Sequence, residues 1–240
     1  MKPVFIALDF ADKKTAISFL EPFSNIDHLA VKIGMELFYK EGPSIVKELR
    51  SRGIEVFLDL KLHDIPHTVQ QAAKQISQLD VQYTTIHALG GSKMIQAARL
   101  GLDEGAKASG NIAPKLLAVT QLTSTSEEQL NQEEQINGKI EDSVAHLANL
   151  AHDNGSDGVI CSALEDEFIH QKVNADFICI NPGIRLANNS KDDQQRVVTP
   201  EKARQLGAYG IVVGRSITQS DDPVKTYQDI CNTINGGQNQ

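Results

Sequence analysis

Asp59 and Lys61 lie two residues apart in Glu55-Val56-Phe57-Leu58-Asp59-Leu60-Lys61-Leu62, where every other position from Val56 onward is apolar. In an extended strand residues i and i+2 share a face, so this run sets a carboxylate beside an ammonium. Asp64 follows in the next stretch of chain, close enough to join them. Asp9 ends another apolar run, and Lys32 lies near the end of a further one. A structural ion-pair network is the plain alternative, but desolvation offsets much of the attraction in a buried pair. Four charges at adjoining strand ends (Asp9, Lys32, Asp59 and Lys61) are expensive as scaffolding alone, and we read them as reaction machinery centred on Lys61.

A second group of residues suits an anion. Pro182-Gly183-Ile184-Arg185 and Gly214-Arg215-Ser216 each follow an apolar run near the end of the chain. Glycine lets backbone N–H groups approach an oxyanion, and the arginine fork matches phosphate oxygens. His63, His67 and His87 lack a third ligand at a matching spacing, so no metal is expected at them. Cys161, Cys179 and Cys231 show no paired metal-ligand spacing and read as ordinary buried thiols.

These groups need elements to hold them. Eight short aliphatic or β-branched runs recur along the chain: 4–8, 29–33, 55–60, 83–87, 116–120, 158–161, 177–180 and 211–213. Most gaps between them are wide enough for a helix. Near-continuous apolar strands alternating with amphipathic segments predict a parallel sheet covered by helices. Eight such units in 240 residues, with no break in composition, favour a single-domain (β/α)₈ barrel over a doubly wound sheet. No Gly-x-Gly-x-x-Gly follows the first run, which weakens a dinucleotide-binding fold. The catalytic domain is expected over 1–235, with 236–240 a frayed C-terminal tail. Ser124–Lys139 breaks the rhythm with a polar, Glu- and Gln-rich insertion after the fifth run, and its start at Thr123–Ser126 is a candidate substrate contact.

Composition narrows the function classes. Hydrophobic residues make up 40% and charged residues 22%, which excludes a disordered or membrane protein. No apolar run is long enough to span a bilayer, and the N-terminal stretch is too short for a signal-peptide core, so a cytoplasmic protein is expected. Asn188-Asn189-Ser190 is then a chance match to a glycosylation acceptor. The net charge of −8 argues against nucleic acid, and it requires that any anionic substrate be met by a local cationic cluster.

Asp59-Leu60-Lys61-Leu62-His63-Asp64-Ile65-Pro66-His67-Thr68 resembles the signature of the orotidine 5′-phosphate decarboxylase family. Ala7-Leu8-Asp9, Val31-Lys32-Ile33-Gly34, Val119-Thr120-Gln121-Leu122-Thr123-Ser124 and the two arginine loops match that family in order along nearly the whole chain. The resemblance implies decarboxylation of orotidine 5′-monophosphate to UMP and CO₂, the last step of de novo pyrimidine synthesis, by a homodimer without metal or organic cofactor. Carried over residue by residue, it makes Lys61 the proton donor to the carbon that loses CO₂. Asp59 then lies beside the substrate carboxylate, and Lys32 completes the charge chain. Asp64, Ile65 and Thr68 reach into the partner subunit's site. Asp9 binds the ribose region, Thr123 contacts substrate and Ser126 reads the base. Arg185, Gln194, Gly214 and Arg215 belong to the substrate's phosphate side, and Pro182 is a further substrate contact. The chain departs from the pattern at Asn181, where Thr or a small residue is expected, and at Gln195, which doubles Gln194.

The chemistry agrees with these residues. Loss of CO₂ leaves an electron pair in an sp² orbital with no conjugated sink, so a preassembled ammonium must stabilise it. Two flanking carboxylates would keep that lysine protonated despite burial. Two rivals remain in view: a metal-dependent sugar-phosphate decarboxylase, aldolase or epimerase on the same barrel, and a non-catalytic nucleotide sensor. The first loses activity to a chelator, and the second tolerates Lys61→Ala.

Overall fold

The computed structural model describes residues 1–186 and 197–237. Its strands are β1 (Val4–Ala7), β2 (Ala30–Ile33), β3 (Glu55–Leu62), β4 (Tyr83–His87), β5 (Lys115–Val119), β6 (Gly158–Ile160), β7 (Ile178–Asn181) and β8 (Gly210–Val213). They pair in parallel in sequence order, and β8 closes on β1 through Val4↔Ile211, Phe5↔Val212 and Ile6↔Val213. The helices are α1 (Lys13–Leu20), α2 (Met35–Glu41), α3 (Pro43–Ser51), α4 (Pro66–Ser77), α5 (Gly91–Ser109), α6 (Glu127–Gln132), α7 (Ile140–Asp153), α8 (Asp166–Lys172), α9 (Pro200–Leu206), α10 (Arg215–Thr218) and α11 (Pro223–Ile234). The chain is therefore the (β/α)₈ barrel its periodicity predicts, with strand limits within two residues of those expected.

Strand alternation splits the core in two. Phe5, Ala7, Ala30, Phe57, Tyr83, Leu117, Val119, Ile160, Ile178, Ile180 and Val212 form the barrel interior, where the Phe5 ring meets those of Phe57 and Tyr83 edge to face. Their neighbours in sequence, such as Ile6, Val31, Leu58, Cys179 and Val213, face outward and pack under the helices. Each fully buried aliphatic or aromatic side chain contributes about 1.5–3 kcal/mol. Counting by twos from the interior set puts Asp9, Lys32, Asp59, Thr85 and Gly214 on the inner face, from mid-strand to just beyond the strands' C-terminal ends. That is the end at which barrels carry their sites.

Two local features bear on function. β3 runs to Leu62, and its register on β4 shifts between Leu58↔Thr84 and Leu62↔Ile86, so four steps along β3 match two along β4. Lys61 lies in this bulge with φ +51°, a conformation that side chains with a Cβ rarely adopt. The polar insertion resolves into α6, whose N-cap Ser126 accepts from the Gln129 N–H at 3.1 Å, and a connection that ends at Lys139, the N-cap of α7. At the chain end, the Gly236 and Gly237 N–H groups donate to Thr233 O and Asn232 O, tying the first two residues of the expected tail to α11.

Candidate active site

The four charges singled out in the sequence meet at the barrel mouth as one chain of alternating sign. Lys61 Nζ lies 2.7 Å from Asp59 Oδ2, Lys32 Nζ 3.8 Å from the same oxygen, and Lys32 Nζ 3.4 Å from Asp9 Oδ1. Side-chain exposure grades from 11% at Asp59 and 12% at Lys32 to 25% at Lys61 and 63% at Asp9, so the first three are largely removed from water and Asp9 forms the rim. Two unit charges 4 Å apart interact by about 4 kcal/mol at an effective dielectric near 20. Asp59 therefore offsets the mutual repulsion of two ammonium groups that converge on one of its oxygens.

Its other oxygen is held from β4. The buried Thr85 hydroxyl donates to Asp59 Oδ1 at 2.9 Å and accepts the Lys61 backbone N–H at 2.9 Å. Threonine is a common strand former, so nothing in the sequence singled this residue out. The one available cue was its position two residues before His87, on the inward-facing alternation of β4.

Beside the charges opens a cavity of about 210 Å³. Phe57, Val119, Ile160 and Val212 give it an apolar floor; Lys32, Asp59, Lys61, Gln121, Thr123 and Ser124 give it a polar wall, and Pro182 also borders it. An apolar surface beside a cluster of charge suits a planar ring with one reacting, ionised substituent. A larger groove of about 620 Å³ lies at the opposite end of the barrel, lined by Met1–Val4 and Asn25–His28, and it contains none of these charges. Thr123 and Ser124 line the smaller cavity, but Ser126 does not, and its hydroxyl is engaged at the N-terminus of α6.

The loops after β7 and β8 lie beside this mouth. Gly183 turns at φ +76°, and a bridge between Ile184 and Val198 then fixes the loop, with the Arg185 N–H donating to Val198 O at 3.1 Å. Arg185 is buried, whereas Arg215 is exposed at the start of α10. A Cβ on Gly214 would lie 3.9 Å from Asp9 Oδ2, which places this loop next to the charge chain. Gln194, Gln195 and the Asn188–Ser190 tripeptide fall outside the described residues.

Asp64 does not join Lys61 within the chain. Its Oδ1 accepts the Ile65 N–H at 2.6 Å, and the whole stretch His63–Thr68 is exposed, Ile65 by 66%. The rings of His63 and His87 lie 5.5 Å apart, tilted by 34° to one another. Burial, then the neighbouring His63 and Lys61, holds His87 below the ordinary value of 6.5.

Cys161, Asp166 and Cys179 are the one group among the described residues whose donor atoms are close enough to share a metal ion, all within 4.8 Å of one another. Their separation in sequence hid this. They face outward between β6, β7 and α8, and the Asn181 amide donates into them, to Asp166 Oδ1 at 2.8 Å and Cys161 O at 3.2 Å. An N–H directed at the shared oxygen disfavours a cation there and makes this a hydrogen-bonded cluster. The departure at Asn181 thus belongs to the packing of α8, with its side chain turned from the cavity.

With the geometry in place, the comparisons with known proteins agree along the whole chain. The sequence profile described as "Orotidine 5'-phosphate decarboxylase / HUMPS family" matches residues 2–230. A protein of Lactiplantibacillus plantarum named orotidine 5'-phosphate decarboxylase is 55% identical over 229 residues, covering 95% of this chain and 97% of that one. One of the same name from Geobacillus kaustophilus is 48% identical over 238 residues, covering 99% and 97%. The crystal structure of orotidine 5'-phosphate decarboxylase from Lactobacillus acidophilus superimposes with a TM-score of 0.86 at 42% identity, covering 98% of this chain and all of that one. The chain belongs to the orotidine 5′-phosphate decarboxylase / HUMPS family.

Proposed function

We propose that this protein decarboxylates orotidine 5′-monophosphate to UMP and CO₂, the last step of UMP synthesis. The observation that carries the reading is the Lys61–Asp59–Lys32–Asp9 chain beside an apolar-floored cavity. It is supported by relatives of that name at 48–55% identity.

The pyrimidine ring lies on Phe57, Val119, Ile160 and Val212, with its carboxylate towards Asp59 and Lys61. The bond from ring carbon to carboxylate breaks, CO₂ departs, and the electron pair stays on the ring carbon. The Lys61 ammonium stabilises that pair in place and then transfers a proton to it, leaving a neutral amine that solvent reprotonates. Asp59 keeps the ammonium aimed and charged, while Lys32 and Asp9 hold the ribose side. Thr123 takes polar edges of the nucleoside. Pro182 borders the ring cavity, and Arg185, Gly214 and Arg215 form the phosphate side, to which we also assign Gln194. Binding energy gathered on the phosphate, away from the reacting carbon, can then be used to close the loops over the ring.

The same reading makes the enzyme a homodimer that needs no cofactor. The exposed run His63–Thr68, with Asp64 unpaired to any cation among the described residues, suits a segment completed by a second subunit. Cys161 and Cys179, free thiols buried side by side, suit the reducing cytoplasm. The test is loss of orotidine 5′-monophosphate absorbance on adding purified protein in excess EDTA, with Lys61→Ala alongside. Rapid turnover, lowered at least about 10⁴-fold in the variant, is expected from combined proton transfer and charge stabilisation. An inactive wild type would overturn the reading and favour a metal-dependent sugar-phosphate reaction.

A further inference from the structure

We infer that Thr85 is a positioning residue of this reaction, one hydroxyl that sets both the backbone of Lys61 and the rotation of Asp59; the inference rests on the decarboxylase reading above. The bulge in β3 withdraws the Lys61 N–H from the ladder to β4 and holds Lys61 at φ +51°. A buried N–H without an acceptor is costly, and so is that backbone conformation, so both persist only where the surroundings determine them. Thr85 Oγ1 supplies the missing acceptor at 2.9 Å. A hydroxyl carries a single proton, and here it goes to Asp59 Oδ1, also at 2.9 Å. Asp59 Oδ2 is thereby left to face Lys61 Nζ at 2.7 Å and Lys32 Nζ at 3.8 Å.

The two ends of Lys61 are thus fixed through the same atom, the backbone directly and the ammonium by way of the Asp59 carboxylate. Without that hydroxyl the carboxylate is free to turn about its own axis, and the bulge loses the bond that satisfies it. Thr84, one residue earlier, is a built-in comparison. It is equally buried but points to the other face of β4, and its hydroxyl has no hydrogen-bond partner among the described residues.

The substrate half of the site does not depend on this contact, which separates a positioning role from a structural one. Thr85→Val keeps the shape and removes both bonds. Its kcat is expected to fall about 10- to 100-fold, as for a displaced reacting group, with KM and the affinity for UMP within about threefold of wild type. Thr84→Val should leave kcat unchanged. Should valine be poorly tolerated, Thr85→Ser against Thr85→Ala repeats the comparison, with kcat retained in serine and lost in alanine. The inference is overturned if Thr85→Val turns over within twofold of wild type, if serine and alanine behave alike, or if UMP affinity falls in step with kcat. A wild type that turns over beside an unaffected Thr85→Val sinks this inference alone; an inactive wild type sinks the decarboxylase reading and this with it.

Discussion

Burial without a full set of partners is costly for a carboxylate, and Asp166 at the start of α8 carries that cost. Oδ1 accepts from the Asn181 amide at 2.8 Å and the Cys161 thiol at 3.3 Å, while Oδ2 is buried with no partner among the described residues. Burial, followed by the charge of Cys179, pushes the carboxyl from its ordinary 3.8 up to about 8, against a smaller pull downward from Asn181 and Cys161. The folded protein therefore retains a proton that the unfolded chain has lost between those two values. The contribution of Asp166 to stability falls as pH rises across that window, the opposite of the usual salt-bridged aspartate. His170, raised first by its bond to Cys179, adds to the same trend, since the stability it contributes below 6.5 is lost as pH rises. Asp166→Asn keeps the acceptor and removes the titration. Its melting temperature should exceed that of wild type at pH 8.5 and differ far less at pH 5. Parallel melting curves across pH for the two proteins would show that Asp166 does not titrate in this range.

At the scale of elements, the site depends on how closely α5 lies against α4. A Cβ on Gly101 would come within 2.2 Å of Gln70 O, and one on Gly105 within 2.2 Å of Lys74 O, so two glycines four residues apart let the helix backbones touch. α4 begins at Pro66, directly after Asp64 and Ile65, and a shift of α4 would displace that segment. Gly105→Ala should cost about 1–3 kcal/mol of overpacking. Its melting temperature, read by calorimetry, should then drop by about 2–12 °C in a chain of this size. An unchanged value would mean that the helices separate without strain. Neither glycine stood out in the sequence, because a helix pattern tolerates glycine and only the neighbouring helix reveals the need for it. The elements themselves were legible, since buried parallel strands are written as apolar runs with helical segments between them. Asp59, Lys61 and Lys32 were legible because charge within such runs has few other uses. The bulge at Lys61 was not. A positive φ is usually signalled by Gly or Asn, and here a lysine adopts it with support from a residue 24 positions away. The Cys161–Asp166–Cys179–Asn181 cluster was hidden for the same reason, since it forms only when β7 pairs beside β6 and α8 packs over the two.

For the molecule as a whole, the open question is what completes the barrel mouth. Lys61 has Asp59 on one side, and Asp64 turns outward on an exposed stretch with Ile65. Leu89 and Leu122, on the loops after β4 and β5, are exposed near the same end. Each copy carries a net charge of −8, so two copies repel at long range. At physiological salt that repulsion is screened beyond about 8 Å, which leaves apolar contact to decide association. In a two-fold dimer the same patch serves both subunits, so each Asp64 would serve the other's Lys61. Lys61→Ala and Asp64→Ala homodimers should then both be defective at both sites. Mixing and reassociating them creates heterodimers in which one site carries both lesions and the other carries neither. Random pairing makes half the dimers mixed, and one site in two of those is intact, so activity should return to about a quarter of the wild-type level. If Asp64 instead acts within its own chain, every site in the mixture keeps one lesion, and no activity above that of the separate variants returns.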